Sequence, residues 1–184
     1  MIDRIRRIFK LDFSVFDEIE ADPNATGEAL IVVLVVSVAA AIGTGLRPDA
    51  PRGFAVAFVM TFISGVVGWV VWAAVTHYVG KALYQSGVTF QSMLRVLGYA
   101  SAPRVLGILD SIPCFGKLAG LAGLILSLVV AIMAISEGLE VDTGQAIIVV
   151  VVGGIALFIA TAIVGTVFGE PALVTYGLCS AFAR

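Results

Sequence analysis

A chain of 184 residues that is 60% hydrophobic and only 13% charged, with a mean hydropathy of +1.07, carries too few charges to cover a soluble globule. The net charge of −2 comes without a basic patch that could grip a phosphate backbone, so nucleic acid is excluded as a partner. Cys114 and Cys179 stand far apart, with no CxxC and no nearby ligand histidine; neither a disulfide framework nor structural zinc is expected, and no cofactor.

In residues 1–27, Ile2, Ile5, Ile8, Phe9, Phe13, Phe16 and Ile19 recur at helical spacing, with Arg4, Arg6, Arg7 and Lys10 between them. This pattern predicts an amphipathic helix lying in the membrane interface, its arginines turned to anionic headgroups. A short helix docked on the rest of the protein is the plainer alternative. Asp22-Pro23-Asn24 ends the segment, and Thr26 is the expected N-cap of the next element. A mixed-charge stretch ahead of the apolar run reads as an uncleaved anchor rather than a secretory signal.

Five apolar blocks follow, at about Glu28–Leu46, Phe54–Val79, Gln91–Leu109, Leu118–Ser136 and Gln145–Phe168. Each approaches the roughly 20 residues that cross a bilayer core as a helix. Unbroken apolar runs exclude the alternating strands of a membrane barrel, leaving helices as the way to satisfy the backbone. The expected fold is therefore all-α: a five-helix transmembrane domain over residues 28–169 and a short tail over 170–184. Gly116, Gly120 and Gly123 at the start of the fourth block have the small-residue spacing that lets helices approach closely. Packing within the chain is favoured over dimerisation for them.

The third block is the unusual one. It holds Arg95, Tyr99, Pro103 and Arg104 at membrane depth, where a charge is costly and a proline frees a backbone carbonyl. It reads as the organising helix, bent at Pro103, with Tyr99 packed inside. Arg95 and Glu137 fall at the same end of neighbouring antiparallel helices and are expected to pair. Arg104 lies close enough to the far end to snorkel or to pair with Asp110; an ion or substrate path is the alternative. His77 is the sole histidine, expected near the interface beside Tyr78. A role as a haem or pigment ligand is a remote option, and no further ligands of that type accompany it.

The placement of lysine and arginine puts the N-terminus in the cytoplasm and the C-terminus outside the cell membrane. Asn24-Ala25-Thr26, a glycosylation sequon, would then be unused.

Taken in order, several elements resemble the Yip1 family of membrane proteins, especially its prokaryotic branch. They are Phe16-Asp17-Glu18-Ile19 with Asp22-Pro23, His77 late in the second block, Phe90-Gln91-Ser92-Met93-Leu94-Arg95, Gly98-Tyr99-Ala100-Ser101-Ala102-Pro103, and Ile112-Pro113 with Gly116. The resemblance covers about residues 14–168 and implies a polytopic membrane protein without known enzymatic activity. Eukaryotic members act in vesicle traffic and bind Rab-type GTPases. This chain lacks their long cytosolic N-terminal region and their Asp-Leu-Tyr-Gly-Pro stretch, which argues against GTPase binding.

No GxSxG, HExxH or phosphate-cradling Gly-rich Lys loop occurs. The expectation is a non-enzymatic scaffold, organiser or accessory subunit. Its partners would be the lipid bilayer and either further copies of the chain or other membrane proteins. A small transporter or channel built on the broken third helix is the alternative.

Overall fold

The computed structural model describes residues 1–46, 53–112, 115–139 and 141–167. Every regular element among them is helical: α1 (Ile2–Phe9), α2 (Val15–Ala21), α3 (Ala25–Gly45), α4 (Phe54–Tyr84), α5 (Phe90–Ala100), a 3-10 segment (Ala102–Ser111), α6 (Phe115–Gly138) and α7 (Thr143–Val167). Three stretches, Ala25–Gly45, Phe54–Tyr84 and Leu118–Gly138, are long and apolar enough to cross a membrane. The apolar blocks foresaw these helices to within a few residues. The largest excess is in α4, which continues to a left-handed cap at Gln85, φ 53°.

The third block does not form one helix. Pro103 has no amide hydrogen to donate and crowds the preceding turn, so α5 stops at Ala100 and the chain tightens into the 3-10 segment. Ten residues is long for a 3-10 run, and such runs often mark strain or a hinge. The carbonyls near the break find side-chain donors: Ser101 Oγ donates to Gly98 O at 2.6 Å, and Ser127 Oγ of α6 to Ala100 O at 3.3 Å.

This broken element is the centre of the bundle. Residues 92–93 and 95–100 of α5 are buried, packed by α2, α3, α4 and α6, and the 3-10 segment lies between α3 and α6. α4 sits at the rim against α3, α5 and α7, and its Phe54, Val59, Ile63 and Val67 are exposed, as suits a wall facing lipid. Very close backbone approach fixes the centre. Gly43 of α3 lies on the carbonyl of Gly107, leaving no room for a Cβ, and a Cβ on Gly98 would stand 2.8 Å from that of Ala29. Of the glycines singled out in the sequence, Gly123 does pack, with space for a Cβ only 3.2 Å from Pro103 O, but Gly120 faces open space. Gly116 is buried.

The N-terminal segment differs from expectation in two ways. A left-handed Leu11 (φ 60°) splits it into α1 and α2. Both helices dock on the bundle, burying Ile8, Val15, Phe16 and Ile19 in one cluster with Ala29, Val32, Val96, Tyr99 and Val130. Two of the four basic residues expected to face headgroups are used internally instead. Arg7 donates to Asp12 at 2.8 Å and Glu18 at 2.7 Å, and Arg4 donates to Asp22 at 2.8 Å and Glu28 at 3.0 Å. Arg6 and Lys10 stay exposed, beside exposed Ile2, Phe9 and Leu11.

Candidate functional site

Two polar centres lie on the broken third element, one at each half. In the first, Arg95 is 9% exposed, and its guanidinium is held from Nε to Thr26 Oγ1 at 2.7 Å and from Nη1 to the Glu20 carbonyl at 2.7 Å. The partners sit 69 and 75 residues earlier in the chain, so one side chain fastens α5 to the end of α2 and the start of α3. The expected Arg95–Glu137 pair is not formed. Glu137 is half-buried and lines a cleft with Asp17 and Glu20, while Arg95 spends its donors on Thr26 and the Glu20 carbonyl instead. The expected N-cap at Thr26 is also replaced: α3 starts at Ala25 after Asn24, which frees the Thr26 hydroxyl to accept from Arg95.

One turn on, fully buried Tyr99 donates its hydroxyl to Glu28 Oε2. Arg4 donates to the same oxygen and to Asp22, giving a continuous relay Asp22–Arg4–Glu28–Tyr99 from the surface into the core. The guanidinium of Arg4, helped by the Asn24 amide, holds the Asp22 carboxyl below its usual range. Arg7 and then Ser14 do the same for Asp12. A tyrosine inside the bundle was legible from the sequence; Glu28 as its partner was not, because a lone acid in a first helical turn has an ordinary role with the helix dipole.

The second centre is a cavity of about 380 Å³ bounded by α3, α4, α6 and the broken element. Ser37, Thr44, Thr61, Ser64, Ser101 and Ser127 put hydroxyls in its wall, interleaved with apolar Val33, Val36, Leu97 and Ala131. Trp69 and Trp72 line it as well; Trp69 Nε1 donates to Leu94 O at 3.1 Å. Arg104 supplies the cavity's one charge among the described residues. Its backbone amide donates to Ser101 O, while its side chain lines the cavity and forms no hydrogen bond or ion pair with a described residue. The side chain of Asp110, the anticipated partner, lies outside the described residues, as do Cys114 and Cys179.

His77 is half-buried and makes edge contacts with the rings of Tyr78 (5.4 Å) and Phe90 (6.3 Å), in keeping with its expected place beside Tyr78. Among the described residues no three His, Cys, Asp or Glu side chains gather as a metal site would need. On the opposite side of α4 from lipid, Trp72 Nε1 and Thr76 Oγ1 are buried without a hydrogen-bond partner among the described residues. The hydroxyls of the cavity were missed in the sequence because they are scattered over four segments, and only their convergence marks them.

An all-helical bundle with membrane-length apolar helices, centred on a broken polar helix, defines an integral membrane protein. The chain belongs to the Yip1 domain family, whose model matches residues 12–165, and the resemblance carried by the Gly98-to-Pro103 stretch is thereby borne out. No curated protein and no solved structure matches it.

Proposed function

We propose that this Yip1-family protein is a non-enzymatic membrane scaffold or accessory subunit that works by association with further copies of itself or with other membrane proteins. The match across residues 12–165 carries this reading, since it runs from α2 through nearly all of α7. In this view five apolar segments cross the cell membrane, the third as the broken α5 and 3-10 element, with the N-terminus cytoplasmic and the C-terminus outside. Residues 1–27 form a docked cap at the cytoplasmic end, and residues 170–184 a tail. Exposed Ile2, Phe9 and Leu11 beside Arg6 and Lys10 suit contact with anionic headgroups, so α1 both docks on the bundle and touches lipid. GTPase binding is not part of this reading.

Cavity and broken helix together favour a second reading as a small transporter or channel. Reconstitution as the sole protein in liposomes separates the two. The scaffold reading expects no ion or solute flux above empty vesicles, together with oligomers detected by crosslinking in the membrane. Reproducible flux abolished by Arg104→Ala would establish the transporter. Orientation is tested by an impermeant thiol reagent on intact cells, which is expected to reach Cys114 or Cys179; labelling confined to lysed cells would invert it.

A further inference from the structure

We propose that the cavity beside Arg104 binds the phosphate of a net-anionic phospholipid. The argument begins with the charge. An arginine held among helices inside an apolar bundle is costly unless it is paired or reaches water, and the Arg104 guanidinium has no partner among the described residues. Arg95, nine positions earlier, shows that this fold can hold a guanidinium with its own oxygens. At Arg104 it supplies a cavity instead. About 380 Å³ lies within the range of small-molecule sites, enough for a headgroup and the carbons beside it.

The lining selects the chemistry. Among the described lining residues there is one cation and no carboxylate, so the site favours an anion and offers nothing ionic to an ammonium group. A phosphodiester carries one negative charge, which one guanidinium balances, and its two free oxygens match the two-pronged donor geometry of arginine. Thr61 and Ser64 add hydroxyls to the same wall, while Val33 and Val36 give apolar wall for glycerol and acyl carbons. Free phosphate offers the same oxygens but leaves that apolar wall unused and brings a second charge with no cation to meet it. The assignment stands apart from the scaffold reading, since a bound lipid is compatible with scaffold and transporter alike.

The chain's two tryptophans, Trp69 and Trp72, both line the cavity and serve as the reporter. The full chain, purified in detergent and stripped of lipid, is titrated with short-chain phosphatidylglycerol, short-chain phosphatidylcholine and inorganic phosphate. Saturable change of tryptophan fluorescence with phosphatidylglycerol is expected, and weaker binding of phosphatidylcholine. Arg104→Gln is expected to weaken phosphatidylglycerol about tenfold or more, with part of the affinity restored in Arg104→Lys. Gly68 also lines the cavity, and a Cβ added there meets nothing within 4 Å, so Gly68→Leu tests the same space while leaving the arginine in place. It too is expected to weaken binding, and it decides the matter if Arg104→Gln does not fold. Unchanged affinity in these variants, or no saturable binding, overturns the proposal. Inorganic phosphate displacing the lipid at equal concentration would also overturn it, in favour of a free-anion site.

Discussion

Arg95 and Arg104 sit on the same broken element, nine residues apart, and the fold treats them oppositely. Arg95 is almost enclosed, and its donors end on the Thr26 hydroxyl and the Glu20 carbonyl. Arg104 stands in a cavity wall, its guanidinium without a hydrogen-bond or ion-pair partner among the described residues. The difference originates in the break itself. On the α5 side the helix is packed by α2 and α3, whose ends bring the Glu20 carbonyl and the Thr26 hydroxyl to it. Beyond Pro103 the 3-10 segment presses Gly107 against Gly43 at one edge of α3 and leaves space beside α4 at the other. A buried charge used for fastening requires oxygens built into the chain, whereas one lining a cavity is free for a ligand. Fastening thereby falls to one arginine, and the proposed ligand binding to the other.

The strongest way to break this comparison is substitution at both positions. Arg95→Ala is expected to lower stability by about 3 kcal/mol, because it removes two charge-assisted hydrogen bonds, to Thr26 and Glu20, and unfastens α2 from α5. Arg104→Ala in lipid-free detergent is expected to stay within about 0.5 kcal/mol of the parent, as it removes no hydrogen bond or ion pair with a described residue. Thermal unfolding of both variants measures this, and equal losses would mean that Arg104 is also a fastening.

The close approach that shapes the cavity side is tested by Gly43→Val. With the Gly107 carbonyl against it, any side chain must force α3 from the 3-10 segment, at a cost of about 1–3 kcal/mol. Gly120→Val, which points into open space, is expected to cost far less in the same unfolding assay. Similar losses for both would show that helix propensity rather than approach governs these glycines.

Tyr99→Phe sharpens the fastening side. It keeps the ring in its buried place and removes only the hydroxyl that donates to Glu28, with an expected loss of about 1–2 kcal/mol. A double-mutant cycle with Glu28→Gln is expected to show coupling, and additive losses would mean the relay is not a unit.

The smallest effect is electrostatic and confined to the N-terminal cap. Asp12 and Asp22 have carboxyls lowered by Arg7 and Arg4 respectively, so their folded values lie below those of the unfolded chain. The stabilisation they give is complete above the ordinary aspartate value of about 3.9 and is lost as pH falls through the lowered folded values. Hydrogen exchange in residues 1–22 is expected to rise in that acid window while α5 stays protected. Arg4→Gln with Arg7→Gln is expected to loosen the cap already at neutral pH and abolish its response to acid.

The sequence by itself determined the class and much of the architecture. A hydropathy of +1.07 with apolar blocks of bilayer length admits only helices, because each backbone group in lipid must be satisfied within its own segment. Pro103 dictated a break wherever the chain placed it, and Gly98-Tyr99 with Pro103 pointed to the right family. Those are local facts, carried by composition and by residues a few positions apart. Tertiary structure alone decided which oxygens Arg95 receives, since they lie 69 and 75 residues away and depend on how α2 and α3 are rotated against α5. It alone made Gly43 rather than Gly120 the point of closest approach. It also gathered hydroxyls from four separate segments around Arg104, because a cavity is a property of the space between helices and leaves no periodicity in any one of them.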